Sequence, residues 1–164
     1  MAEPIKNSVK RSINATENTY YRLVLLVGES GSGKTEILRD IAIENNTEVI
    51  NINMALSAEL LELTAKQRIL RLPKILDKVS NNSHSILVLD NIEIIFDKDL
   101  KQDPLRLLQG ISRNRSVIAS WNGIVSDDKL IYAEAAHPEY QSYDMHDLTI
   151  VGMDGMTTIN SSLI

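Results

Sequence analysis

The sequence contains no cysteine, which excludes disulfide bridges and thiolate metal centres. Its three histidines are scattered along the chain, so no histidine metal site is indicated either, and Mg²⁺ is the one metal that the motifs below imply. No apolar run approaches the ~20 residues of a membrane-spanning helix, and no apolar N-terminal signal stretch is visible. The expected location is the cytoplasm, with no membrane contact. Excess positive charge is lacking too. Seventeen Lys and Arg stand against 22 Asp and Glu, a net charge of -5, which excludes a uniformly nucleic-acid-coating surface and leaves direct DNA contact to a local basic patch. With 43% apolar and 24% charged residues in 164, the composition is that of a soluble globular protein long enough for one real core and too short for two.

What is present is dominated by Gly28-Glu29-Ser30-Gly31-Ser32-Gly33-Lys34-Thr35, which fits the phosphate-loop pattern G-x-x-x-x-G-K-[ST] without a mismatch. Gly28, Gly31 and Gly33 have no Cβ, so the backbone can wrap phosphate oxygens with its N–H groups pointing inward. Lys34 supplies positive charge, a helix beginning near Gly33 aims its N-terminal dipole at the same anion, and Thr35 offers a hydroxyl to Mg²⁺. The apolar run 22–27 before the loop reads as a buried parallel strand. The stretch 36–44 after it places Ile37, Leu38 and Ile41 on one helical face. Strand, loop and helix thus come in the order a nucleotide site requires, with ATP and Mg²⁺ as the implied ligands.

Along the rest of the chain, residues 1–19 form a polar extension in which Pro4 can open a short helix carrying Ile5, Val9 and Ile13. Residues 20–151 form the main domain, and 152–164 read as a tail. A short strand is expected over 48–53. A helix capped by Ser57 is expected to run to about Ser80, divided or kinked by Pro73. Asn81 to His84 read as a turn. Ile86-Leu-Val-Leu-Asp90 is a second wholly apolar run ending in an acid. A carboxylate at the C-terminal tip of a parallel strand sits where open α/β sheets bind ligands, and Asp90 can hold the magnesium shell opposite the phosphate loop. Asn91 follows, where many ATPases carry a glutamate; an amide orients water but cannot take its proton. Glu93 is the nearest carboxylate downstream and reads equally as a base or as a surface charge. Asp103-Pro104 starts a helix ending near Arg113 and Arg115, and 116–121 is a further buried strand closed by Asn122. Asp127-Asp128 fits either a hairpin turn or the start of a short helix, and 147–151 is the expected last strand.

The alternation predicts an α/β three-layer sandwich with a parallel sheet. A strand that follows the Asp90 strand and ends in a polar residue resembles the additional-strand P-loop NTPases, which include the AAA+ proteins. That resemblance implies that the strand inserts between the other two, that Asn122 is a sensor orienting the attacking water, and that the C-terminal helical lid of those relatives is missing. Arginine is absent from 116 to 164. A self-supplied arginine finger in an ATP-dependent homo-oligomer therefore has to come from Arg113 or Arg115, which read equally as a charge pair complementing a helix C-terminus. Asp90-Asn-Ile-Glu-Ile-Ile-Phe96, Lys101-Gln-Asp-Pro-Leu-Arg-Leu-Leu108, Ser112-Arg-Asn-Arg115, Trp121-Asn-Gly123 and His137-Pro-Glu-Tyr140 together resemble the BrxF family, small P-loop proteins of BREX bacteriophage-exclusion systems. This resemblance spans about residues 20–151. It implies an antiphage component working beside a larger ATPase, a DNA methyltransferase and a PglZ-type protein.

Overall fold

In the computed structural model, which describes residues 2–81, 86–133 and 137–158, five parallel strands form the centre of the sheet. They run in the order β2 (Val49–Asn51), β3 (Ile86–Asp90), β4 (Ser116–Ser126), β1 (Leu23–Gly28) and β7 (Thr149–Gly152). The strand after Asp90 therefore lies between the strand bearing Asp90 and the strand leading into the phosphate loop, as the resemblance to the additional-strand P-loop NTPases implies. Its register sets Gly28 beside Asn122 and Leu89 beside Ala119.

Side-chain alternation along these strands builds two cores. Leu23, Leu25 and Val27 of β1, Leu87 and Leu89 of β3, and Val117, Ala119 and Trp121 of β4 face one side. There they meet α3 (Ile52–Leu60), α4 (Ala65–Ser80) and α5 (Pro104–Ile111) through Leu56, Leu72, Leu76 and Leu108. Val24, Leu26, Ile86, Val88 and Ile118 face the other side. They pack against Val9 of α1 (Ala2–Ala15) and against Ile37, Leu38 and Ile41 of α2 (Lys34–Glu44). Helix, sheet and helix make the three layers. Each fully buried Leu, Ile or Val contributes roughly 1.5–3 kcal/mol, so the doubly covered strands are the most strongly fixed part of the molecule and carry the site at their tips.

Several local expectations are corrected. The strand expected over 48–53 stops at Asn51, whose side chain accepts the Met54 N–H at 3.1 Å and caps α3, so that Ser57 lies inside that helix. The break before α4 falls at 61–64, where Thr64 and Gln67 form a reciprocal capping box. Pro73 lies within α4 and does not divide it. Proline leaves the carbonyl four residues earlier without its helical donor, and Gln102 Nε2 donates to that Ile69 carbonyl at 2.9 Å. β4 continues past Asn122 into a hairpin with β5 (Lys129–Tyr132), turning on Asp127 and Asp128 at φ 52° and 60°. Positive φ at both turn residues matches the twist of paired strands. β6 (Gln141–Asp144), which the sequence reading did not anticipate, extends the hairpin. Residues 152–158 are not a tail: β8 (Thr157–Thr158) folds back antiparallel on β7. The expected turn at 81–84 falls largely outside the described residues. Among those described, no helix follows α5, and none is long and apolar enough to cross a membrane.

Candidate nucleotide site

The phosphate loop joins β1 to α2 with Gly31 at φ 81° and Gly33 at φ 100°, left-handed conformations that glycine takes at little cost. Gly33 is the residue at which the chain turns into α2. Lys34 begins that helix and is 6% exposed. Its Nζ donates to the Gly28 and Glu29 carbonyls at 2.7 and 2.8 Å, so the ammonium lies along the inner side of the loop. Burial pushes its pKa down, against the opposing pull of Asp90, Glu93 and Glu29. A cation whose charge burial disfavours is suited to an anionic partner such as a phosphate.

Asp90 is also nearly buried. It accepts from the Thr35 hydroxyl at 2.7 Å, the Ser120 hydroxyl at 2.6 Å and the Asn91 backbone N–H at 2.9 Å. The strand register explains this: Asp90 and Ser120 follow the paired residues Leu89 and Ala119 and face the same side of the sheet as the start of α2. Ser120 was missed from the sequence because a serine within an apolar strand carries no motif.

Beyond Asp90 the chain bends at Asn91, φ 52°, and enters a 3₁₀ turn that Glu93 opens and Phe96 closes. Asn53, in the first turn of α3, holds this bend at three points. Its backbone N–H donates to the Asn91 carbonyl at 2.8 Å, its Oδ1 accepts the Ile94 N–H at 2.7 Å, and its Nδ2 reaches Glu93 Oε1 at 3.4 Å. Burial raises the Glu93 pKa and the charge on Asp90 adds to the rise, while backbone N–H groups and the Asn53 amide oppose it. Glu93 is half-buried. Asn53 too escaped the sequence reading, lying 40 residues before the glutamate it touches.

Lys34, Thr35, Asp90, Asn91, Glu93 and Asn122 line one cavity of about 320 Å³, together with loop residues Ser30, Gly31 and Gly33. Gly28 and Glu29 join through the carbonyls that hold Lys34, and Ser32 lies within the loop. Arg113 and Arg115 do not join them. They precede β4, whereas the cavity lies at its far end, ~20 Å away at ~3.3 Å per strand residue. The Arg113 guanidinium stacks on the Tyr20 ring at 3.6 Å and donates to the Tyr20 carbonyl, and Arg115 donates to the Ser80 carbonyl at 3.4 Å. Neither arginine serves the chain's own cavity.

The Thr35 hydroxyl and Asp90 carboxylate form the hard oxygen pair that suits Mg²⁺, an ion that keeps several waters and is usually bound together with phosphates. Among the described residues, no group of three or more His, Cys, Asp or Glu side chains is placed to hold a metal ion. Parallel strands with the Asp90 strand set one place away from the phosphate loop, and a lysine, a threonine and an aspartate converging there, define a P-loop NTPase. The model of the ATPase family associated with various cellular activities (AAA) matches residues 24–120, more than half of the chain. The chain belongs to that family, and it is a nucleotide-binding, ATPase-like protein. No curated protein matches it.

Proposed function

We propose that the protein hydrolyses ATP and that its nucleotide state drives assembly or remodelling in a larger complex. The observation carrying this reading is the convergence of Lys34, Thr35, Asp90, Glu93 and Asn122 on one cavity. The loop N–H groups and Lys34 bind the phosphates. Thr35 and Asp90 would hold Mg²⁺, which neutralises phosphate charge when bound. Glu93, kept off its ordinary acidity by burial and oriented by Asn53, takes the proton of the attacking water, and the Asn122 amide orients that water. The resemblance to the BrxF family supports a setting in bacteriophage exclusion. The partners would then be a larger ATPase, a DNA methyltransferase and a PglZ-type protein.

ATP turnover by the purified protein, alone and with DNA or those partners added, tests the reading. Glu93→Gln should abolish turnover while ATP stays bound with undiminished affinity. Turnover unchanged in that variant would remove Glu93 from the reaction. One observation favours a slow switch or scaffold instead: Asn91 occupies the place directly after Asp90 and lines the cavity. A marked gain of turnover in Asn91→Glu would support that second reading.

A further inference from the structure

The glycines of the phosphate loop answer to different constraints. Gly31 and Gly33 stand at positive φ, and Gly28 does not. What excludes a side chain at Gly28 is its surroundings. A Cβ there would lie 2.6 Å from the Ser32 hydroxyl oxygen of the same loop, and 2.6 Å from Cγ and 3.0 Å from Cβ of Met153, which follows the last parallel strand. A Cβ at Gly33 would lie 3.6 Å from Cε of the same methionine. The Met153 side chain therefore runs along the loop from its first glycine to its last.

The sheet delivers Met153 to this place. β7 pairs in parallel with β1, Val27 beside Gly152, and one residue further on the Met153 N–H donates to the Val27 carbonyl at 2.8 Å. The chain then closes a tight turn into β8. The Gly152 N–H donates to the Met156 carbonyl at 2.7 Å and the Gly155 N–H to the Gly152 carbonyl at 3.0 Å, while the Asp154 carboxylate accepts the Met156 N–H at 2.9 Å. The partly buried Met153 side chain packs on the core that α1 and α2 cover. An unbranched thioether with three rotatable bonds suits such an irregular gap. Met153 is not among the residues that line the nucleotide cavity, so what it does there it does through the loop.

We propose that Met153 is a positioning residue of the nucleotide site, backing the phosphate loop from Gly28 to Gly33 and holding its N–H groups in the shape that takes phosphate. A glycine-rich loop has unusual conformational freedom to lose on binding, and a support that orders it beforehand removes part of that cost from the affinity. Because the thioether touches the loop and not the nucleoside, its effect is the same for any ligand that carries the phosphates. The proposal rests on the loop being the nucleotide site and not on hydrolysis.

Calorimetric titration of the full chain with Mg-ATP and with magnesium tripolyphosphate tests it. Met153→Ala should weaken both by a similar factor, roughly tenfold, which is about 1.4 kcal/mol. Met153→Leu, which conserves volume, should keep most of the affinity. Met156→Ala changes an exposed side chain of the same turn and should leave both titrations as they are. A methionine that served only the core would lower the melting temperature and spare the affinity. Should Met153→Ala fail to fold, Met153→Val keeps a branched side chain suited to a strand end but stops short of Gly33, and should show the same loss. Unchanged affinity in the folded variant, a loss confined to Mg-ATP, which would give the thioether to the nucleoside, or an equal loss in Met156→Ala would overturn the proposal. Unmodified protein that binds neither ligand would overturn the nucleotide-site reading, and this proposal with it.

Discussion

Replacing Lys34 with alanine separates the site from the fold. The ammonium lies on the Gly28 and Glu29 carbonyls at the edge of an open cavity, so water replaces it there once the side chain is removed. The loss of two charge-assisted bonds is offset by relief of the burial that disfavours the charge. The expected stability change is about 1 kcal/mol or less, which for a domain of this size moves Tm by about 2–4 °C. Nucleotide affinity responds differently. A hydrogen bond to a charged group contributes about 1.5–3 kcal/mol, so losing the phosphate partner should weaken Mg-ATP binding by roughly 10- to 150-fold.

Protonation supplies a second readout. In the folded protein the Lys34 pKa is lowered below its ordinary 10.5 by burial. The unfolded chain therefore holds this proton more firmly, and the lysine's contribution to stability improves as pH rises from the lowered value towards 10.5. A bound phosphate favours the ammonium and raises the pKa again. Binding at alkaline pH must then take up a proton, an uptake that calorimetry in buffers of different ionisation enthalpy reads directly and that Lys34→Ala should abolish. A folded variant that binds Mg-ATP with unchanged affinity, or equal proton uptake by both proteins, would refute the reasoning.

Asp90→Ala should weaken nucleotide binding in magnesium far more than binding in chelator, by titration in both conditions; equal losses would remove Asp90 from the ion. Asn53→Ala leaves the Ile94 N–H without its acceptor, a loss of about 1–3 kcal/mol, visible as a lower Tm. It also removes a bond that lowers the Glu93 pKa, which is already above its ordinary 4.5. Because the base works only when ionised, turnover is lost as pH falls through that pKa, and the acid limb should move to higher pH in the variant; an unmoved limb contradicts the brace. Gly123→Ala places a methyl group against the Ile131 carbonyl oxygen across the β4–β5 hairpin and should destabilise by about 2 kcal/mol or more. A melting temperature equal to that of the unmodified protein would mean that the hairpin yields without strain.

Much of the parallel core was legible because apolar runs such as 86–90 are buried on both faces and break off at a functional residue. The phosphate loop was legible because its glycines are required by backbone shape. The hairpin following Asn122 was harder to read. Its turn is made by two aspartates held at positive φ, where Asn-Gly or Asp-Gly would have been the stronger signal, and β6 alternates half-buried with exposed residues. Pro73 misled for a physical reason. The penalty of a proline inside a helix falls partly on an orphaned carbonyl, and its donor, Gln102, comes from a segment that no local pattern links to α4. Asn53 and Ser120 stayed hidden because their roles depend on partners brought together by the sheet order. Arg113 and Arg115 lie at the end of β4 away from the chain's own cavity, so the role read for them, a finger in a neighbour's site, belongs to an assembly and not to the fold of one chain.

The chain's single tryptophan turns this architecture into an optical instrument. Trp121 is fully buried, donates its indole N–H to the Ile131 carbonyl, and meets Phe96, Tyr132 and Tyr143 edge-on at centroid distances of 5.2, 5.9 and 5.6 Å. It immediately precedes Asn122, and Phe96 closes the turn that Glu93 opens. Any shift of that turn on filling the cavity alters the packing around one fluorophore. Emission from the unlabelled protein should therefore follow ligand arrival and departure in real time, and the red shift on exposing the same indole follows unfolding.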